Sequence, residues 1–572
     1  MNGFNRELWR RFTALATPYW QLGKRWEARG LLALLVALLL GQTGFTVLFN
    51  NQSGEFTSAL AARDGARFWS SIHVFIGLLI VAVPIYALYY YVRDALGLRW
   101  RRWLTRSLLE KYFAERRFYQ LNANPDIDNP DQRIAEDVNT FTQKSLSFLL
   151  LAIGALLQLL AFSGVLWSIS KSLVSFLLFY AAIGTLVTFG VFGKRLVALN
   201  FNQLKREADF RFSLMRIREN AESIAFYRGE TEEAAQVDRR FDGVFDNFDK
   251  LIRWALNLNF FQYAYTFLTI VLPSIIIAPR VLSGELEVGR VVQVAGAFAA
   301  ILSALTVFID NFESLSRFAA GIERLDAFSV FMNKTTRPAA SGADSVIGFA
   351  EHTHLAFQTV TLQTPDLSRI LVRDLSLIVE PGQGLLIVGV SGGGKSSLLR
   401  AIAGLWNAGA GTILRPKSTD ILFLPQHAYM ILGSLRTQLL YPGHTRVIAD
   451  RELKDVLDEV NLGGLVERCG GLDNELDFGK FLSVGEQQRL AIARALLTQP
   501  EYTILDEATS ALDADNEARL YRCLQGTATT LVSVSHRPGI LQYHHQVLEL
   551  KGNGEWQVFP ARGYQFDRSG EA

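Results

Sequence analysis

The sequence predicts an α-helical membrane domain with six spans, followed by an α/β domain. Three observations predict this. Six long apolar stretches lie in the first two-thirds of the chain, and long charged segments with helical patterning separate some of them. Short apolar strands alternate with helices in the last third. Of the 572 residues, 49% are hydrophobic and only 20% are charged, which is typical of a membrane protein.

Each apolar stretch is long enough to cross the hydrocarbon of a bilayer, which takes about 20 helical residues. Their limits predict transmembrane helices over 30–50, 69–92, 145–168, 172–193, 255–280 and 288–312. The third and fourth are separated only by Ser168–Lys171, so we expect a tight turn between antiparallel helices there.

Basic residues predict the orientation of the spans. Lys and Arg are concentrated in the segments 93–144 and 194–254, whereas the loops 51–68, 169–171 and 281–287 are short and nearly balanced in charge. The positive-inside rule therefore predicts that both termini and the α/β domain are cytoplasmic. The two basic segments are expected to form helices that extend from the spans into the cytosol.

Changes in composition predict four segments. Residues 1–29 combine Trp and Tyr with Arg and Lys, which favours an elbow helix at the membrane interface, with a soluble amphipathic helix as the alternative. Residues 30–332 form the membrane domain, 333–345 a polar linker and 346–572 the α/β domain. The net charge of +2 gives no reason to expect a nucleic-acid partner.

A phosphate-binding loop follows a buried strand of the α/β domain. The strand Leu385–Val388 is followed by a glycine-rich loop and the helix Ser397–Leu405. Backbone N–H groups of such a loop bind phosphates, Lys395 adds positive charge, and Ser396 is expected to bind Mg²⁺. The residues expected to bind ATP are Gly389, Val390, Ser391, Gly392, Gly393, Gly394, Lys395, Ser396 and Ser397.

A second apolar strand, residues 502–505, ends in two carboxylates. Asp506 is expected to reach Mg²⁺ through water, and Glu507 to polarise the water that attacks the γ-phosphate. Such placement is the main contribution a protein makes to phosphoryl transfer. A surface turn is the alternative for an Asp-Glu pair, but the buried strand before it favours a hydrolase.

Between these half-sites, Leu482–Arg489 (LSVGEQQR) resembles the signature motif of the ABC-transporter ATPases. It departs from the commonest form, LSGGQ, at Val484 and Glu486. The resemblance implies that the motif faces the γ-phosphate bound by an opposite subunit, although Ser-x-Gly alone is also a common helix N-cap. The residues of this predicted trans site are Ser483, Val484, Gly485, Glu486 and Gln487.

Three further residues resemble elements of the same family. Gln426 resembles the glutamine of the Q-loop, Asp513 the D-loop that crosses the dimer, and His536 the switch histidine that contacts the γ-phosphate. The resemblance implies the catalytic set Glu507, His536 and Gln426, and the magnesium set Ser396, Gln426 and Asp506. The family's aromatic platform for adenine has no counterpart near Thr364, so stacking is expected to be weaker or to come from elsewhere.

Two cytoplasmic segments resemble loop motifs of ABC subfamily D, the peroxisomal fatty-acyl transporters, and of bacterial relatives of the YddA type. They are Asn129–Val138 (NPDQRIAEDV) and Asn220–Glu230 (NAESIAFYRGE). The membrane domain also resembles the SbmA/BacA peptide-uptake proteins. We predict that these loops couple the membrane domain to the ATPase domain, with the solvated faces of long helices as the alternative. The candidate coupling residues are Asp131, Arg133, Glu136, Glu222 and Gly229.

The resemblance implies an exporter-type half-transporter that hydrolyses ATP and alternates access across a bacterial plasma membrane. Each ATP site needs a second chain, so a homodimer is the simplest expectation and a related half-transporter is the alternative partner. The substrate is either a hydrophilic solute, such as a peptide or cobalamin, or a fatty acyl compound. An ATP-gated channel or regulator, and a soluble ABC ATPase without transport, are the rival functions; six spans argue against the second.

Overall fold

A computed structural model describes residues 6–21, 25–122, 127, 130–333, 346–443 and 447–566. The chain divides into two compact units, Met1–Thr335 and Thr336–Ala572. The division falls inside the linker predicted over 333–345, of which residues 334–345 lie outside the described part of the chain.

The first unit is helical. Its described helices are α1 (Arg6–Gln21), α2 (Arg25–Ala61), α3 (Gly65–Phe113), α4 (Arg117–Asn122), α5 (Pro130–Gln132), α6 (Val138–Ile169), α7 (Lys171–Val187), α8 (Lys194–Glu219), α9 (Ala221–Tyr227), α10 (Glu230–Leu282), α11 (Gly289–Asp310) and α12 (Phe312–Asn333). A 3₁₀ turn at Ala114–Arg116 and π-helical turns at Arg133–Asp137 and Thr188–Gly193 join some of them.

Five helical stretches are long and apolar enough to cross a membrane: Arg25–Ala61, Gly65–Leu121, Pro130–Ile169, Glu230–Leu282 and Gly289–Val307. They contain four of the six predicted spans and overlap a fifth, 288–312. The predicted span 172–193 coincides with α7 and the π-helical turn after it, where only a shorter apolar helix is found, so the total of six stays a prediction. Ser170 alone separates α6 from α7, which confirms the tight turn.

Aromatic stacking holds the N-terminal helix α1 against α3. Tyr19 is buried and lies parallel to Trp100, with 5.5 Å between the ring centroids. The bounds of α1 differ from the elbow helix predicted over 1–29. The helix α1 ends at Gln21, and residues 25–29 belong to the start of α2. Trp9 is exposed, as an interfacial aromatic residue is expected to be.

A long helical arm, formed by α8, α9 and the first half of α10, extends from the apolar part of the unit. With 53 residues and a rise of about 1.5 Å per residue, α10 is far longer than the hydrocarbon is thick. Asn247 on α10 is buried and donates hydrogen bonds to the Leu199 carbonyl (3.0 Å) and to Gln203 Oε1 (2.9 Å) on α8. These bonds fix the pairing of the two helices.

The second unit is an α/β domain. Its strands are β1 (Gly348–Glu351), β2 (Leu355–Gln363), β3 (Ile370–Val379), β4 (Leu385–Gly389), β5 (Gly409–Arg415), β6 (Ile421–Leu424), β7 (Gly433–Ser434), β8 (Glu475–Leu476), β9 (Tyr502–Asp506), β10 (Thr530–Val534), β11 (Gln546–Gly552) and β12 (Glu555–Pro560). Its helices are α13 (Lys395–Ile402), α14 (Leu435–Leu439), α15 (Asp450–Glu459), α16 (Leu465–Arg468), α17 (Phe478–Phe481), α18 (Val484–Thr498) and α19 (Ala514–Gln525), with a 3₁₀ turn at Pro538–Tyr543.

The central sheet of this unit has six strands in the order β12-β11-β4-β10-β9-β6, and all pairs except β11 with β12 are parallel. Alternate residues of β4 belong to two different apolar clusters, one on each face of the sheet. Burial on both faces is what a parallel sheet requires. It also places the carboxyl ends of four parallel strands, β4, β10, β9 and β6, at one edge.

Candidate nucleotide-binding site

The edge formed by β4, β10, β9 and β6 collects the residues predicted to bind and hydrolyse ATP. Val534, the last residue of β10, is in register with Ile387 of β4 and with Asp506, the last residue of β9. Leu424, at the end of β6, is in register with Leu505. Ligands of open α/β sheets bind at such carboxyl ends. Segments far apart in the sequence therefore meet at a single site.

The phosphate-binding loop depends on glycine at its two ends. Gly389 has φ +139°, and a Cβ there would lie 2.1 Å from the carbonyl oxygen of Leu550. Gly394 has φ +100° and precedes α13, which begins at Lys395. Only glycine fits these backbone conformations without strain. The loop therefore leads directly into the N-terminus of α13, where backbone N–H groups favour a bound phosphate.

The side chain of Lys395, the first residue of α13, bends back over the phosphate-binding loop. Its Nζ donates hydrogen bonds to the carbonyl oxygens of Gly389 (2.7 Å) and Val390 (3.1 Å). Burial lowers the pKa of the Lys395 ammonium, while the carboxylates of Glu507 and Asp506 oppose that shift. The Lys395 ammonium therefore lies close to both carboxylates, where it would also contact a bound phosphate.

Asp506 and Ser396 lie next to each other, as a shared magnesium site requires. Burial and the neighbouring Glu507 carboxylate raise the pKa of the Asp506 carboxyl, and a hydrogen bond with Ser396 opposes that shift. A hydroxyl and a carboxylate are ligands that Mg²⁺ accepts, and it usually completes its shell with water and substrate phosphates. The described residues contain no cluster of three or more His, Cys, Asp or Glu side chains that could hold a metal ion.

Glu507 occupies a strained backbone position at the centre of the site. Its φ of +49° is unusual for a residue with a side chain, and its N–H donates to the Val534 carbonyl over 3.1 Å. Gln426 Nε2 donates to Glu507 Oε2 (2.9 Å), and His536 Nε2 lies 3.9 Å from Oε1. Strain of this kind is held in place at functional sites by the surrounding structure. The structure thus brings the three predicted catalytic side chains together.

The signature residues form the N-terminal turn of α18. Ser483 is the N-cap: its Oγ accepts from the Glu486 N–H (3.3 Å), and its own N–H donates to Glu486 Oε2 (2.9 Å). This reciprocal capping box requires a carboxylate or amide at position 486, so the departure from LSGGQ keeps the turn intact. Among the described residues, the side chain of Ser483 bonds only to Glu486 in its own turn, and Val484 is exposed beside it.

Arg468 is a neighbour of the signature motif that sequence reasoning did not identify. Its NH1 contacts Glu486 Oε1 at 2.5 Å. Burial alone would raise the pKa of the Glu486 carboxyl, but hydrogen bonds from Arg468 and Ser483 outweigh burial and lower it. Arg468 thereby balances the negative charge that Glu486 brings to a motif expected to face phosphate.

The D-loop is fixed by side chains at both ends. Asp513 caps α19 by accepting from the Asn516 backbone and side chain, both at 2.8 Å, and these bonds lower the pKa of its carboxyl. Arg537, next to His536, donates to the carbonyls of Leu512 (2.7 Å) and Ser510 (2.8 Å). The switch segment and the D-loop are therefore physically linked, through an arginine that the sequence pattern did not single out.

Gln488 joins three of these segments from inside the domain. It is only 2% exposed. Its Nε2 donates to the Gln426 carbonyl and to Ser510 Oγ, both at 3.2 Å, and its Oε1 accepts from the Ala511 N–H over 3.0 Å. A single amide thus holds the Q-loop, the D-loop and the signature helix in one arrangement.

Gln488→Ala is expected to slow hydrolysis while leaving ATP affinity close to normal. The substitution leaves the Ala511 N–H and the Gln426 carbonyl without their partner, and a lost hydrogen bond costs about 0.5–1.5 kcal/mol. We expect kcat to fall about tenfold or more, because the geometry of Gln426 and the D-loop is loosened, whereas Lys395 is untouched. Steady-state phosphate release and equilibrium ATP binding measure the two effects. Gln525→Ala, on the exposed face of α19, is the matched control, and an unchanged kcat in Gln488→Ala would contradict the assigned link.

The candidate coupling residues are placed differently from one another. Asp131 and Glu136 are exposed, whereas Arg133 is buried and contacts Asp137 at 3.0 Å, which Arg324 of α12 also contacts at 2.8 Å. Burial of Arg133 suits a role in joining this segment to α12. Two residues belong to the other segment: Glu222 lies in α9 and Gly229 precedes α10. Coupling by all five residues remains a prediction.

Comparison with known proteins agrees with this architecture. A family profile described as ABC transporter transmembrane region 2 matches residues 22–282, and one described as ABC transporter matches residues 372–510. An uncharacterized ABC transporter ATP-binding protein of Synechocystis sp. is 46% identical over 548 residues, covering 94% of this chain and 83% of its own.

Two relatives with more specific names match over nearly the whole chain. The chloroplastic ABC transporter D family member 2 of Arabidopsis thaliana is 37% identical, covering 95% of this chain and 86% of its own. The lysosomal cobalamin transporter ABCD4 of Homo sapiens is 32% identical, covering 93% of each chain. The resemblance to subfamily D is thereby confirmed. The chain is a membrane protein of the ABC transporter family, with a helical transmembrane domain and an ATP-binding ABC domain that confers ATPase activity.

Proposed function

We propose that the protein is an ATP-driven half-transporter that works as a homodimer with two composite ATP sites. The observation that carries this proposal is the placement of the nucleotide residues within one chain. Lys395, Asp506 and Glu507 converge at one edge of the sheet, while Ser483 lies on the surface and bonds within its own turn. The exposed position of Ser483 supports an ATP site that is completed by the phosphate loop of a second copy.

The chemistry assigned to this site is hydrolysis of the γ-phosphate. Lys395 and the loop N–H groups hold the phosphates, and Glu507 orients the attacking water. Gln426 donates a hydrogen bond to one oxygen of the Glu507 carboxylate, and His536 lies beside the other oxygen. Mg²⁺, when bound by Ser396, Gln426 and, through water, Asp506, would supply positive charge to the phosphates. Asp513 and the signature turn would act across the dimer.

In our proposal, ATP binding and hydrolysis drive alternating access. ATP closes the two ATPase domains, hydrolysis opens them again, and the helical extensions carry the change to the membrane domain. We place the protein in a bacterial plasma membrane, surrounded by lipid, with both termini in the cytoplasm. A related half-transporter in place of the second copy is the alternative partner.

The cargo is proposed to be either a hydrophilic solute or a fatty acyl compound. The name of the human relative, a cobalamin transporter, supports the first class, and the resemblance to the peroxisomal members supports the second. Gln293, a polar residue of α11, is buried and donates to the Asn51 carbonyl over 3.0 Å, so it stabilises helix packing. Such interhelical bonding accounts for Gln293 without a role in binding cargo.

Reconstitution tests the proposal and separates the cargo classes. Purified protein in lipid nanodiscs is screened for ATPase stimulation by cobalamin, peptides, free fatty acids and acyl-CoAs, and transport is then measured in proteoliposomes. We expect one class to stimulate hydrolysis and to move only in the presence of hydrolysable ATP. Movement that persists in Glu507→Gln with ATP bound would favour an ATP-gated channel. ATPase activity with no flux of any class would favour a regulator.

A further inference from the structure

A buried carboxylate contacts two segments that carry predicted catalytic side chains. Glu517 belongs to the first turn of α19 and is only 5% exposed. Taking a charged carboxylate out of water is costly unless it is paired and hydrogen-bonded, so its contacts show what it holds in place. Both of its oxygens contact segments of the nucleotide site, although Glu517 itself is not among the residues predicted to bind or hydrolyse ATP.

The first oxygen contacts the segment that follows Glu507. Thr509, which is buried, donates from Oγ1 to Glu517 Oε1 over 2.6 Å. The N–H of the next residue, Ser510, donates to the Glu507 carbonyl over 3.0 Å. The backbone turn that carries Glu507 is therefore closed by its own hydrogen bond and is tied to α19 through Thr509.

The second oxygen contacts the residue that follows His536. Glu517 Oε2 lies 3.4 Å from Arg537 NH1, and the two side chains form an ion pair. The same guanidinium donates to the carbonyls of Leu512 and Ser510 in the D-loop. Arg537 therefore cannot move without losing its charged partner or a hydrogen bond to the backbone.

Glu507 and His536 depend on such support because neither side chain is enclosed by packing. Glu507 Oε1 lies 3.9 Å from His536 Nε2, and the two side chains are 32% and 55% exposed. A misplacement of about 1 Å at an active site can lower a rate by about a hundredfold. The buried contacts of the segments that follow these residues are therefore expected to matter for the rate.

We propose that Glu517 is a positioning residue that sets the separation between Glu507 and His536. Each carboxylate oxygen holds the segment that follows one of these residues, so a shift of either segment is transmitted to the other. The inference rests on the catalytic roles proposed for Glu507 and His536. Because both act on the γ-phosphate during its transfer, Glu517 is expected to affect the transition state and to leave ATP affinity nearly unchanged. An ion pair that only stabilises the domain is the alternative.

Glu517→Gln separates the two contacts in the full-length protein. The amide keeps the size of the side chain and an oxygen that accepts from Thr509, but it presents an uncharged NH₂ donor to Arg537. We expect kcat, counted per bound ATP, to fall about tenfold, with ATP affinity within about twofold of the unmodified protein. Glu555→Gln is the matched control, since Glu555 is an exposed glutamate of β12, at the edge of the same sheet.

Thr509→Val tests the contact of the other oxygen. Valine has nearly the shape of threonine but no hydroxyl, so the Glu517 carboxylate loses this donor and keeps its ion pair with Arg537. We expect kcat per bound ATP to fall several-fold at unchanged ATP affinity. This variant also carries the test if Glu517→Gln does not fold. A kcat per bound ATP equal to that of Glu555→Gln would overturn the proposal.

Vanadate trapping separates positioning from stability. Together with ADP, orthovanadate takes the place and the geometry of the transferring phosphate, so the amount of trapped ADP reports how well the site binds the transition state. Glu517→Gln is expected to trap about tenfold less ADP than the control, while the affinity for ADP alone is unchanged. A lower melting temperature with trapping and kcat per bound ATP at the control level would mean that the ion pair only stabilises the domain, and would overturn the proposal.

Glu507→Gln, measured in the same assays, distinguishes the two levels of failure. If Glu507→Gln hydrolyses ATP at the rate of the control, the proposed catalytic site is wrong and the role of Glu517 falls with it. If hydrolysis is lost in Glu507→Gln but is normal in Glu517→Gln and Thr509→Val, only the positioning role is refuted.

Discussion

Glu507→Gln is expected to reduce steady-state ATP hydrolysis by about a hundredfold or more, while ATP still binds. A positioned general base contributes about 10²–10⁴ in rate. The substitution removes the charge but keeps the size of the side chain and an oxygen that accepts from Gln426. Lys395 and the phosphate loop are unchanged, so the nucleotide remains bound and the dimer is expected to accumulate in its closed state.

Phosphate release and ATP-dependent cross-linking of the two ATPase domains measure these two consequences. Glu501→Gln is the matched control, because Glu501 is an exposed glutamate directly before the same strand, β9. Hydrolysis in Glu507→Gln at the rate of the control would contradict the catalytic role of Glu507. A loss of ATP binding would show that the side chain acts on affinity, and the strained position of Glu507 would then need another explanation.

Lys395→Ala is expected to weaken ATP binding by about one to two orders of magnitude. Hydrogen bonds to charged groups contribute about 1.5–3 kcal/mol, and every 1.4 kcal/mol is a factor of ten. The lysine is partly buried and interacts electrostatically with Asp506 and Glu507, so its loss also removes a positive charge that acts on both carboxylates. Electrostatic repulsion of the phosphates adds to the loss.

Equilibrium binding of a fluorescent ATP analogue measures this effect. Lys417→Ala serves as the control, since Lys417 is an exposed lysine of the same domain outside the nucleotide edge. Thermal unfolding without nucleotide should be similar in both variants. An affinity that is unchanged in Lys395→Ala would contradict the assignment of the phosphate loop.

The sequence allows the positions of site residues to be predicted where these positions follow from the strands that carry them. A loop after an apolar strand, and carboxylates at the end of another, meet at one edge because parallel strands present their carboxyl ends together. Gly389, Asp506 and Glu507 could therefore be placed from local pattern alone.

The connecting residues could not be predicted in this way. Gln488 and Arg537 act through carbonyl and N–H groups far away in the sequence, and no spacing encodes such contacts. Arg468 pairs with Glu486 only because α16 and the start of α18 meet in the folded domain. The span 172–193 shows a similar limit in the membrane domain, since hydropathy does not reveal that its last six residues, Thr188–Gly193, form a π-helical turn.

A mixed dimer tests most directly the claim that two copies share each ATP site. One chain carries Lys395→Ala and the other Ser483→Arg, with different affinity tags so that only mixed dimers are purified. Each homodimer has no intact site, but the mixed dimer keeps one, built from the unchanged phosphate loop of one chain and the unchanged signature of the other. We predict that ATPase activity is clearly restored in the mixed dimer. Activity no higher than in either homodimer would contradict the composite site.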